Sequence, residues 1–113
     1  MARPDFVLEG RAGAFWSPER FNTGGMWVGY FTGESPWEIH RESDELLHAL
    51  KGEVQLTVLT DEGRETTMLR AGEMIVVPQG CWHKFNAPDG VTVLTATPQP
   101  TDHSTAEDPR TEA

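Results

Sequence analysis

The sequence predicts an all-β fold, either a small barrel or a sandwich, and three observations lead to this prediction. Gly and Pro recur roughly every eight to twelve residues along the chain. Between them, apolar residues either form short runs or alternate with polar residues, as they do in β-strands. No segment keeps a helical stripe of apolar residues over several turns. Many short strands with regular turn signals are typical of β-sandwiches and β-barrels.

The predicted strands are short apolar or alternating runs, and they cover Met26–Thr32, Asp44–Leu50, Glu53–Val58, Glu73–Val77 and Val91–Thr97. The residues Asp61–Gly63 have the composition of a turn that ends the third run. Pro78 stops the fourth run, because proline cannot donate to a strand ladder. The last run follows a second turn signal, Pro88–Gly90. Each predicted strand therefore has a turn signal at one end or at both.

The segment Asp44–Leu50 is apolar on both of its faces. Leu47 and Ala49 would lie on one face, and Leu46 and Leu50 on the other. A strand covered on both sides needs a second layer, supplied by the N-terminal segment or by another subunit. The chain also has four tryptophans and five phenylalanines, more than a small barrel easily hides. We expect a homodimer, with cover from within the chain as the alternative.

Length, charge and cysteine content narrow the classes of function. The 113 residues fit one domain and leave no room for an appended DNA-binding module. Eighteen acidic and nine basic residues give a net charge of −9, which argues against nucleic acid or an anionic membrane as partner. Cys81 is the single cysteine, so no intrachain disulfide forms. With no signal-peptide pattern and no membrane-spanning apolar run, we expect a soluble, cytoplasmic protein.

The composition changes at Pro98, after which Pro, Thr, Asp and Glu dominate. Such a segment has too little apolar surface to order itself. The sequence therefore predicts one barrel domain over residues 1–97 and a disordered polar tail over residues 98–113. His103 lies in this tail, and we expect it to be incidental rather than a metal ligand.

The first chemically informative stretch contains Glu38, His40 and Glu45. Residues 38 and 40 are two apart, so on a strand their side chains emerge on one face. Glu45 follows after a short loop, and hairpin pairing of the two strands would bring it beside His40. Buried charges of this kind need a cation, a hydrogen-bond network or water. On its own the stretch is a weak signal, because a solvated face explains it equally well.

The second stretch has the spacing of a strand, a tight turn and a return strand: Gly72, Pro78, Gly80 and His83. On the return strand, His83 shares a face with Cys81 and Phe85, which indicates the interior. A lone interior histidine is more often a hydrogen-bonded core residue than a ligand. Two histidines together with two carboxylates favour a metal site, because borderline divalent cations bind mixed imidazole and carboxylate ligands.

These two stretches resemble the two signature motifs of the cupin superfamily, G-x5-H-x-H-x(3,4)-E-x6-G and G-x5-P-x-G-x2-H-x3-N. The first motif is matched by His40, Glu45 and Gly52, as its second histidine, glutamate and closing glycine. The second motif is matched by Gly72, Pro78, Gly80 and His83. The matches cover residues 33–52 and 72–86. The resemblance implies a double-stranded β-helix, or jelly-roll barrel, with metal ligands at four motif positions.

The chain departs from the family pattern at three positions. Glu38 stands where the first histidine of the motif is expected, so that three His and one Glu become two His and two Glu. Gly33 is one residue away from the opening glycine. Asn86 comes one residue before the usual asparagine, and we do not assign it that role.

Glu38 leaves three alternatives open. It binds the ion, in a more anionic site suited to Mn, Fe(II) or Zn. It stays unligated as a general base, leaving His40, Glu45 and His83 as a 2-His-1-carboxylate triad. Or the site holds no metal and Glu38 hydrogen-bonds its neighbours.

The sequence therefore predicts a divalent ion (Zn, Mn, Fe or Ni) bound by His40, Glu45, His83 and Glu38, with Glu38 also as the catalytic residue. A substrate pocket is expected at the barrel mouth, lined by Trp27, Met74 and Phe85. The predicted function is metal-dependent chemistry on a small organic molecule. Lewis-acid isomerisation, cyclisation or elimination is favoured over Fe-dependent dioxygenase chemistry. The alternative is a non-catalytic barrel that binds or senses a small molecule.

Overall fold

The computed structural model describes residues 14–21, 24–98 and 101–111, and it confirms the all-β prediction. Eight strands follow one another along the chain: β1 (Ala14–Phe21), β2 (Gly24–Glu34), β3 (Trp37–Ile39), β4 (Glu45–Thr60), β5 (Gly63–Arg70), β6 (Met74–Val77), β7 (His83–Thr97) and β8 (Asp102–Ser104). In these three described ranges the one helical element is a single 3-10 turn, Pro109–Thr111. No helix among the described residues has the length and apolar character needed to cross a membrane.

The two longest strands, β4 and β7, organise the sheet. Strand β7 pairs with β2, β3 and β4, whereas β4 pairs with β5, β6 and β7, and every one of these pairings is antiparallel. The β4–β7 register is interrupted at two places, between Ala49 and Lys51 and between Gly52 and Gln55. At such bulges a strand bends while its pairing continues. The two runs predicted as separate strands, 44–50 and 53–58, therefore form one bent strand.

The core lies between the inward faces of these strands. Its fully buried members are Leu47, Ala49, Val54, Leu56, Leu69, Val77, Phe85, Ala87, Val91 and Val93. Burial alternates along the first half of β4, where Glu45, Leu47 and Ala49 point inward. Because each Leu or Val in such a core contributes about 1.5–3 kcal/mol, this face of β4 is fixed by its apolar members. Glu45 is carried into the interior by its position in the same alternation.

The predicted pocket residue Met74 lies on the outside of the protein. Met74 is 64 % exposed and Val76 is 53 % exposed, whereas Val77 is buried. Strand β6 is apolar at all four positions, so its sequence has no polar residue that would identify its outer face. The assignment of Met74 to the pocket is therefore wrong, and its side chain belongs to an exposed apolar surface shared with β4.

The C-terminal segment also differs from the predicted disordered tail. Residues 102–104 form β8, which pairs antiparallel with β3. Arg41 Nε donates to Asp102 Oδ2 at 2.9 Å, and Arg110 Nη1 donates to the backbone oxygen of Thr60 at 3.1 Å. Apolar burial, on which the composition argument relied, is not what orders this segment. Backbone pairing to β3 and hydrogen bonds that involve three arginines, Arg41, Arg64 and Arg110, hold it instead.

Candidate metal centre

Four polar side chains, all predicted as site residues, meet at one end of the core. Glu38 lies on β3, and His40 directly follows that strand. Glu45 and His83 are the first residues of β4 and β7. His40 and Glu45 are each 5 % exposed and His83 is fully buried, while the Glu38 side chain keeps 22 % of its surface exposed. Three buried titratable groups at one point indicate a site rather than a packing role.

The Glu45 carboxylate lies between the two imidazoles. Its Oε2 is 3.4 Å from Nε2 of His40, and its Oε1 is 3.1 Å from Nε2 of His83. The two imidazole rings are 5.3 Å apart between centroids. Glu38, His40 and His83 each contribute a ligand atom to a group whose members all lie within 4.8 Å of one another. Together these distances bring the four predicted ligands to one centre.

The facing atoms of this centre are close together but are not aligned as hydrogen bonds. His40 Nε2, Glu45 Oε1 and His83 Nε2 are all buried and have no hydrogen-bond partner. A buried polar atom without a partner costs about 1–3 kcal/mol. Three such atoms converging on one point are well explained if their lone pairs serve a cation. The residues present therefore fit a divalent metal ion.

The other nitrogen of each imidazole also has the partner expected of a metal-binding histidine. His83 Nδ1 lies 3.1 Å from the backbone oxygen of Cys81, and His40 Nδ1 lies 3.1 Å from Oγ1 of Thr101. A carbonyl oxygen can only accept, so the neutral His83 ring carries its proton on Nδ1 and presents a lone pair at Nε2. Cys81 thus contributes through its carbonyl. Such outer partners orient the ligands of metal sites.

The expected hairpin between the strands that carry His40 and Glu45 does not form. Strand β3 pairs with β7 and β8, whereas β4 pairs with β5, β6 and β7. Glu45 reaches His40 across the interior instead. The intervening loop is held by the Pro78–Gly80 turn, where Gly80 N donates to the oxygen of His40 at 2.9 Å and Gln79 N to Asp44 Oδ1 at 2.8 Å. This turn and the loop therefore position both motifs against each other.

The charges of the two carboxylates differ because their surroundings differ. Burial raises the pKa of Glu45, but the two adjacent imidazoles outweigh it and bring that pKa down to about 2. Burial lowers the pKa of His83, but the neighbouring Glu45 anion outweighs it and leaves that pKa above its ordinary value. Burial, and then the negative charge of Glu45, raise the pKa of Glu38. Glu45 is thus the permanent anion, and Glu38 is the carboxyl that takes a proton more easily.

Two cavities meet at this centre. The larger, of about 370 Å³, has an apolar wall to which Phe31, Leu47 and Phe85 contribute. The smaller, of about 240 Å³, lies on the other side of the centre and is lined in part by Trp27, Thr95 and Thr97. Of the predicted pocket residues, Phe85 lines the larger cavity and Trp27 the smaller one. Met74 lines neither of them.

His103, which the sequence analysis places in the tail, lies beside the centre. Strand pairing places it opposite Glu38, with its Nε2 4.0 Å from Glu38 Oε2, and it lines the smaller cavity together with Thr101. No signal in the sequence identified it, because a lone histidine in a polar segment has no periodicity or motif around it. The pairing of β8 with β3 is a tertiary contact.

The pKa shifts of the centre predict how the stability of the metal-free protein depends on pH. The pKa of Glu45 lies below its ordinary 4.5, so its contribution to stability is complete above pH 4.5 and is lost as the pH falls toward about 2. The pKa of His83 lies above its ordinary 6.5, so its contribution is complete below pH 6.5 and is lost as the pH rises through the raised value. The pKa of Glu38 lies above its ordinary 4.5, so its contribution to stability is complete below pH 4.5 and is lost as the pH rises through the raised value.

We therefore expect the melting temperature of the metal-free protein to be highest between pH 4.5 and 6.5, nearer the acidic end because the contribution of Glu38 declines above pH 4.5, and to fall on either side. Added Zn²⁺ should shift the maximum above this window, because metal binding requires deprotonated imidazoles. Melting curves across this pH range, in chelator and in excess Zn²⁺, measure both effects. The same pH optimum in both series would contradict the prediction.

Comparison with known proteins agrees with this fold. A family model described as Cupin domain matches residues 31–97. An uncharacterised protein of Bacillus subtilis, YdbB, is 37 % identical over 54 residues, which are 48 % of this chain and 45 % of that protein. The chain thus matches less than half the length of this curated relative.

Solved structures share the fold at low sequence identity. A cupin-2 domain protein from Shewanella frigidimarina superposes with a TM-score of 0.71 at 25 % identity, over 84 % of this chain and 89 % of the other. The hydroquinone 1,2-dioxygenase PnpCD, solved with Cd²⁺ and 4-hydroxybenzonitrile, gives a TM-score of 0.69 at 17 % identity, over 85 % of this chain and 70 % of the other. With a family model covering more than half of its residues, this chain belongs to the cupin family.

Proposed function

We propose that this protein is a metal-dependent enzyme acting on a small organic molecule. His40, Glu45 and His83 would hold a divalent ion, and Glu38 would move a proton. The observation that carries the proposal is the set of three buried atoms, His40 Nε2, Glu45 Oε1 and His83 Nε2, that face one another without hydrogen-bond partners. Two imidazoles and a carboxylate suit Zn, Mn, Fe(II) or Ni. When bound, such an ion supplies a Lewis acid for a substrate carbonyl or enolate oxygen.

Glu38 is suited to proton transfer by its position and by its protonation behaviour. It lines both cavities, so its carboxyl group is within reach of a molecule bound in either one. Burial, and then the negative charge of Glu45, raise the pKa of Glu38, so it holds a proton more readily than a free carboxyl does. Glu45, which lies between the imidazoles, remains an anion.

The larger cavity is suited to a small, mostly apolar substrate. Phe31, Leu47, Phe85 and Val93 would cover its carbon skeleton and exclude water from the reacting atoms. Glu34, at the same cavity, is paired with Lys84 through a 2.7 Å contact, which partly offsets its charge. The remaining carboxylates disfavour an anionic substrate, because like charges repel in a partly buried site.

Glu38→Gln tests whether Glu45 binds the metal while Glu38 acts only in proton transfer. We expect this variant to bind Zn²⁺ or Mn²⁺ within about threefold of the wild type, whereas Glu45→Gln loses more than the roughly 10–100-fold that an outer-shell change costs. Isothermal titration with each metal measures the difference. If Glu38→Gln and Glu45→Gln weaken binding equally, Glu38 is a ligand and its role as a free base is refuted. Loss of a general base would lower turnover by about 10²–10⁴-fold.

Fe(II)-dependent oxygen chemistry is the second candidate function. His40, Glu45 and His83 form the 2-His-1-carboxylate donor set that leaves ligand positions open, beside a cavity with two aromatic residues. Oxygen consumption by the Fe(II)-loaded protein with hydroquinone, compared with Zn²⁺-loaded protein, tests it. Uptake that requires Fe(II) and is lost in His83→Ala would favour the oxygen route. A metal-loaded protein that binds such compounds without turnover would instead be a non-catalytic sensor.

The homodimer and the cytoplasmic location remain proposals. The dimer is supported by an exposed apolar face on which Leu46 pairs with Val76 and His48 pairs with Met74. A face of this kind on a sheet favours association with a second copy. The molar mass in solution, from light scattering after size exclusion, tests this directly. A monomer at all concentrations would show that the face stays open to solvent.

A further inference from the structure

We propose that β8 is a strap that completes the metal centre, so that metal binding and docking of β8 on β3 stabilise each other. The link is Thr101, a positioning residue for the ligand His40. This inference rests on the metal site proposed above, and it extends that site into a segment that the family motifs do not reach.

Strand register fixes the contact between Thr101 and His40. Strand β8 runs antiparallel to β3, and Ile39 lies opposite Asp102. One residue beyond this pair, His40 comes opposite Thr101. Their side chains then meet, with Thr101 Oγ1 3.1 Å from His40 Nδ1. Any loss of β8 from β3 therefore removes the outer partner of His40.

Several polar contacts hold β8 and the segment that follows it. Beside the centre, Arg41 Nε donates to Asp102 Oδ2 at 2.9 Å. Farther on, Arg64 Nη2 donates to the oxygen of Glu107 at 3.0 Å and Arg110 Nη1 to the oxygen of Thr60 at 3.1 Å. These are largely exposed polar contacts, each worth little alone. Docking of β8 is thus weak enough for a bound ion to shift it measurably.

The coupling follows from the geometry of the histidine ring. A hydrogen bond at Nδ1 restrains the rotation of the ring, which aims Nε2 at the metal, and when Nε2 binds the metal, Nδ1–H donates to the partner oxygen. His83 obtains this constraint from a backbone oxygen in the preceding turn. His40 obtains it from Thr101, which belongs to a separate segment of the chain. By linkage, if docked β8 favours metal binding, a bound metal favours docked β8 to the same degree.

Thr101→Val tests the link by removing the hydroxyl at nearly constant shape. We expect Zn²⁺ affinity, measured by competition with a chelator, to fall by about 10–100-fold. Thr101→Ser keeps the hydroxyl and should stay within about threefold of the wild type. Thr66→Val is the matched control, because Thr66 is exposed on β5 and its hydroxyl faces Thr57. Wild-type affinity in Thr101→Val would overturn the proposal.

Hydrogen exchange gives a readout that does not depend on activity. In the wild type, Zn²⁺ should slow amide exchange in the peptide containing residues 102–104, and this slowing should be smaller in Thr101→Val. Asp102→Asn should weaken Zn²⁺ binding a few-fold, whereas Glu53→Gln, which removes an equally exposed carboxylate, should not. If the wild type binds Zn²⁺ but exchange in β8 is unchanged, only the strap is refuted. If the wild type binds no Zn²⁺, the metal site itself is refuted as well.

Discussion

Replacing His83 with alanine is expected to abolish stoichiometric metal binding. His83 is fully buried, and its Nε2 is one of the three atoms that face the centre without a hydrogen-bond partner. Of the three proposed ligands, its loss leaves one imidazole and one carboxylate, a donor set that binds few divalent ions tightly. The affinity for Zn²⁺ should fall by more than the roughly 10–100-fold typical of outer-shell changes. Metal content after dialysis, by elemental analysis, and titration of the apoprotein measure the effect.

His48→Ala is the matched control for this substitution. His48 lies on β4 but points away from Glu45, on the outer face opposite Met74. We expect its removal to leave metal content unchanged. Because His83 also packs edge-on against Phe85 at 5.5 Å, far-UV circular dichroism must show that the alanine variant is folded. His83→Gln, which keeps more of the buried volume, should lose the metal in the same way. Equal metal content in the His48 and His83 variants would refute the site.

The positions of His83 and Glu45 show why the candidate site could be predicted from the sequence. Turn residues restrict the chain locally, and Pro78 and Gly80 indicate a turn shortly before the strand that begins at His83. Alternation with period two then brings Glu45 inward together with Leu47. Both signals are local, and the motif spacing adds the information that the two local pieces face each other.

What the sequence could not predict depends on contacts between distant segments. The pairing of β8 with β3 depends on backbone hydrogen bonds, which composition does not encode. The hairpin expected for Glu45 does not form because β4, the next strand along the chain, pairs with β6 and β7 rather than with β3. The prediction for Met74 was wrong because an all-apolar strand gives no indication of which side is exposed. In each case the missing information is the partner of a strand, and local sequence does not specify it.

Gly52→Ala is expected to cause the second large effect, a loss of stability caused by a backbone clash. Gly52 and Gly33 share the same positive φ of 81°, which costs a non-glycine residue about 1–2 kcal/mol. A Cβ on Gly33 would meet nothing within 4 Å, whereas a Cβ on Gly52 would collide with the carbonyl oxygen of Gly90. Gly33→Ala therefore measures the conformational cost alone, and Gly52→Ala adds the clash.

The difference between the two glycine variants also tests how the bend in β4 supports the metal centre. We expect Gly33→Ala to lower the free energy of unfolding by about 1 kcal/mol and Gly52→Ala by about 3 kcal/mol or more, out of the roughly 5–15 kcal/mol typical of a domain. Urea denaturation of the apoprotein measures both. Gly52 lies at the bulge beyond which Val58 pairs with His83, so a displaced bulge shifts a metal ligand. Gly52→Ala should therefore weaken Zn²⁺ binding as well, whereas Gly33→Ala should not; equal losses of stability would show that β7 yields at Gly90 without cost.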